Sequence, residues 1–215
     1  MNTNYKTIKG YAEAEYEISK SRFLAFIERA NTEAEAIFFI NKIKKLHWEA
    51  RHNSSAYIIG NRGQIQKADD DGEPSGTAGK PILEVLKKNE LKDVVIVITR
   101  YFGGIKLGAG GLIRAYGKAT SLGLDAAQIV KKVQYIRFAI DIDYTLLGTL
   151  ENNLRLNHYM VEDKLFTDKV RLLVFVEKGF EDKLIESITN WTSSNCVLTE
   201  LDTVYLEIVV NQPQD

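Results

Sequence analysis

The sequence predicts an α+β protein of two domains, residues 1–135 and 136–215. Three observations lead there. Val94-Val95-Ile96-Val97-Ile98 is an uninterrupted, β-branched apolar run suited to a strand buried on both faces, and a glycine-rich loop and a helix follow it. Beyond residue 136 the periodicity runs strand, helix, strand, strand, helix, strand, the order of a ferredoxin-like split βαβ sandwich. Charge divides at the same place: residues 1–135 hold 21 Lys and Arg against 15 Asp and Glu, whereas residues 136–215 hold 7 against 14. A basic half joined to an acidic half points to a polyanionic or an acidic partner.

In the first half, residues 8–18 and 22–30 alternate as two strands joined near Ser19-Lys20-Ser21. Asn31 or Thr32 caps the next helix, residues 33–47, and Glu35 stands three residues past Thr32 in a capping-box arrangement. Ile37, Ile40, Ile43 and Leu46 supply its apolar stripe. His52-Asn53 sits where this helix gives way to a strand at 55–60, a place where polar side chains commonly tie down loop backbone. Residues 68–81, ADDDGEPSGTAGKP, are the most polar and least periodic stretch. Asp-Gly and Glu-Pro mark turns there, and Pro81 suits the first position of a helix over Pro81–Lys88.

After the strand at 94–98 come five glycines within nine residues: Gly103, Gly104, Gly108, Gly110 and Gly111. Glycine permits positive φ and close approach to the main chain. Gly111, Ala115, Ala119 and Gly123 then form a small-residue stripe that lets a helix over 110–124 lie close to a sheet. Residues 126–136 are expected to end that helix and carry the domain boundary. In the second half, Arg137–Tyr144 reads as a strand and 145–157 as a helix. Residues 159–167 and 170–177 read as a hairpin across Asp168-Lys169, followed by a helix over 179–191 and a strand over 197–210.

Composition narrows the function. No apolar run approaches the roughly 18 residues of a membrane helix, and the N-terminus lacks an apolar signal region, so a cytoplasmic protein is expected. One cysteine, Cys196, excludes an internal disulfide and argues against a multi-thiolate metal site. His47, His52 and His158 are scattered, and Ser54, Ser55 and Ser75 lack a nucleophile elbow. No cofactor is expected.

The glycine loop carries the strongest chemistry. Its backbone N–H groups and the positive end of the following helix dipole suit an anion, with Arg100, Lys106, Arg114 and Lys118 around it. It matches neither GxxxxGK[ST] nor GxGxxG. In the polar loop, Asp69, Asp70, Asp71 and Glu73 have two readings. They are oxygen ligands for Mg²⁺, or they accept hydrogen bonds from turn amides, and the second is favoured.

His52-Asn53, residues 68–81 and TRYFGGIKLGAGGLIRAY at 99–116 together resemble the YigZ/IMPACT family, over residues 15–130. The histidine motif reads ARHNSSAY, with Arg51 where family members often carry threonine. The resemblance implies an N-terminal domain like domain 2 of ribosomal protein S5 and a C-terminal domain akin to the last domain of elongation factor G. It also implies a setting in translation. Eukaryotic relatives bind the large activator of the kinase that senses amino-acid starvation and oppose its activation, a partner not transferred to a bacterial-type two-domain chain.

The expected function is therefore a translation-associated binding protein, not an enzyme, that contacts RNA, the ribosome or another phosphate-bearing ligand. Its ligand-binding residues are His52, Asn53, Arg100, Gly103, Gly104, Lys106, Gly108, Gly110, Gly111 and Arg114. Asp70, Asp71, Gly72, Glu73, Ser75, Gly76, Thr77 and Gly79 form the motif loop lining the same groove. Two alternatives stand beside it: a Mg²⁺-dependent enzyme on a phosphorylated small molecule with His52 as base, and a protein-interaction module in translation or stress control.

Overall fold

The structure, a computed structural model, describes residues 4–210. It divides into two units. One takes in the described residues up to Lys132 together with those from Ile208, and the other is Val133–Glu207.

The first unit is built on strands β2 (Tyr11–Ile18), β3 (Ser21–Arg29), β4 (His52–Ile59), β5 (Ile65–Asp69) and β6 (Val94–Tyr101). They form one sheet in the order β2-β3-β6-β4-β5, each pair antiparallel. β6 is the central strand, and Val94 to Ile98 are all 0% exposed. Alternation sends Val94, Ile96 and Ile98 to one face, in a core with residues of helices α2 (Gly79–Lys88) and α3 (Gly108–Ala126). Val95 and Val97 face the other way, into a core with helix α1 (Glu33–Leu46). Burial of each such side chain contributes about 1.5–3 kcal/mol.

The small-residue stripe of α3 meets the sheet. A Cβ on Gly123 would stand 2.9 Å from Ile27 Cδ1 and 3.0 Å from Ala25 Cβ, and Ala115 and Ala119 are buried. At the start of α1, Thr32 Oγ1 accepts from Glu35 N at 3.2 Å, while Glu35 Oε2 accepts from Asn31 N at 2.8 Å. The buried face of α1 is Ala36, Phe39 and Ile43. The expected stripe is corrected: Ile37 and Leu46 are 43% and 66% exposed. At 3.6 residues per turn, positions spaced by three drift steadily off a fixed face, so 37-40-43-46 winds away from the sheet.

Four further elements differ from expectation, the first being the strand expected over 8–18, which breaks at Lys9-Gly10 into β1 (Tyr5–Ile8) and β2. β4 begins at His52, so the histidine motif lies on the strand itself. β5, an exposed edge strand, was not expected, and its last two residues, Ala68 and Asp69, open the stretch read as a loop. Residues expected to end the long helix instead belong to β7 (Ile129–Ile142), because α3 stops at Ala126. The first four residues of β7 pair with β1 (Tyr5–Ile8), from Tyr5 with Lys132 to Ile8 with Ile129.

In the second unit, a 3₁₀ turn (Tyr144–Leu146) follows β7. Helix α4 (Leu147–Leu156), strands β8 (Met160–Phe166) and β9 (Val170–Glu177), helix α5 (Glu181–Trp191) and strand β10 (Cys196–Val209) come next. The pairing order is β8-β9-β7-β10. Ile136, Phe138, Ile140 and Ile142 of β7 share a core with Leu150 and Leu154 of α4 and with Leu184 and Ile188 of α5. Among the described residues no helix is long and apolar enough to cross a membrane.

Candidate functional site

The polar loop before α2 is held by its own acidic side chains. Asp70 Oδ1 accepts from Ala78 N at 3.0 Å and Gly79 N at 2.8 Å, and Oδ2 accepts from Gly76 N at 2.7 Å. No side chain adjoining α2 caps it, so Asp70 does that work from eight residues upstream of Ala78. Burial opposes ionisation of Asp70, but these three amides outweigh it and hold its carboxyl below the usual range. Asp71 accepts from Lys44 Nζ at 2.6 Å and from Asn53 N at 2.7 Å. Thr77 is buried, and its hydroxyl donates to Pro74 O.

Glu73 reaches deepest. Its Oε1 accepts from Arg100 Nη1 at 2.7 Å and from the Tyr116 hydroxyl at 2.9 Å. The side chains of Arg100 and Glu73 are only 7% and 3% exposed. Burial, above all, drives the Tyr116 phenol well above its usual pKa, and the Glu73 carboxylate adds to the effect. Strand β6 supplies Arg100, α3 supplies Tyr116 and the loop supplies Glu73. One buried carboxylate thus fastens the loop to sheet and helix together.

This fastening brings the two sequence motifs face to face across a cleft of about 360 Å³. Arg51, His52, Glu73, Arg100, Phe102 and Lys106 line it, and Gly108 and Ala109 bring in the start of α3. Among the described residues no side-chain cap is formed at Leu107, the N-cap of α3, whose first residue Gly108 has φ +70°. The amides of its first turn have no intrahelical acceptor, as at any helix start. Arg51 and Lys106 are exposed. His52 Nδ1 lies 2.9 Å from Asp71 O. A carbonyl only accepts, so Nδ1 carries the hydrogen and Nε2 is the acceptor of the neutral ring.

The candidate residues divide by placement. His52, Glu73, Arg100, Lys106 and Gly108 line the cleft. Arg100 lines it with Nη1 committed to Glu73, so it shapes the wall and is not a free cation. Arg114 is exposed on α3 outside the lining, and Gly110 and Gly111 lie in the first turn of α3. Asn53 is buried, accepting from Thr99 Oγ1 at 2.7 Å. Gly103 serves packing: a Cβ there would stand 2.0 Å from the Lys20 carbonyl carbon. Gly104, at φ +85°, faces open space. Gly72 packs by His52, Gly76 donates to Asp70, Gly79 abuts Asp69 backbone, and Ser75 is exposed. Arg51 joins the cleft without having been counted as a site residue, and its position beside His52 was the available signal.

Among the described residues no group of three or more His, Cys, Asp and Glu side chains is placed to hold a metal ion. The carboxylates that would do so are bonded to amides, Lys44, Arg100 and Tyr116. Such an arrangement defines a mixed α/β protein of two units, with a cleft of mixed polar and apolar lining beside a helix start.

The chain belongs to the IMPACT family. The Impact N-terminal domain matches residues 19–124, and a domain of unknown function, DUF1949, matches 140–195. IMPACT family member YvyE of Bacillus subtilis (strain 168) is 49% identical over 211 residues, 98% of this chain and 97% of that one. Protein IMPACT homolog of Saccharomyces cerevisiae is 32% identical over 94 residues, 41% of this chain and 35% of its own length. A solved crystal structure of a hypothetical protein superposes with a TM-score of 0.60 at 26% identity, covering 94% of this chain and 98% of the other.

Proposed function

We propose that this chain is a cytoplasmic, translation-associated binding protein whose first unit receives phosphate of RNA, free or in the ribosome, at the start of α3. One observation carries the reading: the start of α3, at Gly108 and Ala109, lines the same cleft as exposed Arg51 and Lys106. A helix N-terminus flanked by cations favours an anion through both its free amides and its dipole. The resemblance to eukaryotic regulators of translation supports the setting. In the same reading the first unit is like domain 2 of ribosomal protein S5. The second, whose strand order is β8-β9-β7-β10, is a ferredoxin-like domain akin to the last domain of elongation factor G.

The test is anisotropy with labelled RNA, and sedimentation with ribosomes, across a salt series. Binding should weaken steeply as salt rises, because condensed counterions are reacquired. Arg51→Ala and Lys106→Ala should each weaken binding and flatten the salt slope, whereas Arg114→Ala, outside the cleft lining, should do so less. Absence of RNA and ribosome binding at low salt would remove the proposal. A Mg²⁺-dependent enzyme is less well supported, since the carboxylates it needs already have partners.

A further inference from the structure

The geometry points to a more specific occupant: we infer that the cleft holds an unpaired ribonucleotide, with its base stacked on Phe102. This rests on the anion reading above and names the ligand class that completes it. Phe102 is 51% exposed although it lines the cleft. Its ring is backed by the Arg100 guanidinium, whose carbon lies 5.5 Å from the ring centroid. Arg100 is itself held by Glu73 and lies 5.4 Å from the centroid of buried Phe23. A half-exposed aromatic ring with a fixed cation over one face is a stacking platform, which accepts any base through its π-face. Tyr101, its neighbour, serves elsewhere, with its hydroxyl 2.9 Å from His47 Nδ1.

Two more groups fit the rest of a ribonucleotide. His52, with Nδ1–H given to Asp71 O, offers Nε2 as an acceptor, the complement of a ribose hydroxyl. Arg100, a lining residue, has its Nε buried with no hydrogen-bond partner among the described residues, a donor left unsatisfied beside the cleft. Arg51, Lys106 and the α3 amides are left for the phosphate. A volume of about 360 Å³ lies within the range of sites for small organic ligands, roughly 300–1,000 Å³.

The experiment is anisotropy at low salt with a 5′-phosphorylated single-stranded RNA, the same sequence as DNA, and an RNA carrying abasic sites. The full chain is compared with Phe102→Leu and Phe102→Trp. Phe102→Leu should weaken RNA binding about 10-fold while leaving abasic RNA unchanged. Phe102→Trp should bind as the parent does, and its added fluorescence should be quenched by RNA. DNA should bind more weakly than RNA. Competition by a mononucleotide as strong as by the strand makes a free nucleotide the source, and stronger competition by the strand makes it RNA. Equal affinity for RNA and abasic RNA, or no loss in Phe102→Leu, overturns the stacked base and leaves the phosphate reading standing. Equal affinity for RNA and DNA overturns the sugar contact. Failure of every oligonucleotide and nucleotide to bind overturns the phosphate reading as well.

Discussion

Replacing Glu73 by glutamine keeps the shape of the side chain but removes its charge, leaving the Arg100 guanidinium in a place only 7% exposed. Breaking a buried ion pair from one side costs about 3–5 kcal/mol, because the remaining charge is neither solvated nor compensated. The retained amide oxygen still accepts from Tyr116, so the low end, about 3 kcal/mol, is expected for Glu73→Gln. A surface pair provides the control. Arg22 and Glu15 are 53% and 45% exposed, and Glu15→Gln should change stability by about 0–1 kcal/mol. Removing both charges, as in Glu73→Gln with Arg100→Met, should recover most of the loss, since neutral replacements of buried pairs are often harmless. Urea denaturation followed by circular dichroism measures all four proteins. Hydrogen exchange at Gly76, Ala78 and Gly79, whose amides donate to Asp70, should accelerate in Glu73→Gln as the loop loosens. A loss in Glu73→Gln no larger than in Glu15→Gln would refute the claim that this pair fastens the loop.

Asp70→Ala should cost about 2 kcal/mol, since two amides at the start of α2 would lose their acceptor, and thermal unfolding would register it. Asp70 titrates in the folded protein below the unfolded aspartate value of about 3.9. Its stabilisation is therefore complete above that value and is lost as pH falls through the lower folded pKa, so Asp70→Asn should show a shallower acid unfolding curve. Gly103→Ala should be severely destabilising in denaturant titrations, because its Cβ would overlap the Lys20 backbone at 2.0 Å. Gly108→Ala meets open space and should cost only the strain of a positive φ, about 1–2 kcal/mol. Thr32→Ala should cost about 1 kcal/mol by removing the cap of α1.

How much of this was legible along the chain depends on the reach of each interaction. The β-branched run at 94–98, the alternation of β2 and β3, the Thr32–Glu35 cap and the small-residue face of α3 are local signals, and each element stands where its pattern puts it. β5 escaped notice because an edge strand of five exposed residues, IQKAD, has no core-facing alternation to display. The start of β7 was misread because its first four residues take their conformation from pairing with β1, more than a hundred positions earlier. In the cleft, the motifs announced that the two loops mattered. They gave no sign that Arg100 had its charge compensated by a residue 27 positions away.

By itself the sequence determined the kinds of element and the polarity of the two loops, since these follow from periodicity and turn chemistry, and its motifs carried the resemblance to the family. Only the tertiary structure decided which polar groups stay available to a ligand. Charges such as Arg100 and Asp71 were claimed by distant partners, while Arg51, Lys106, Phe102 and the start of α3 line the cleft. The physical reason is that a hydrogen bond or ion pair is a relation between two positions in space, and a residue's identity fixes only one of them.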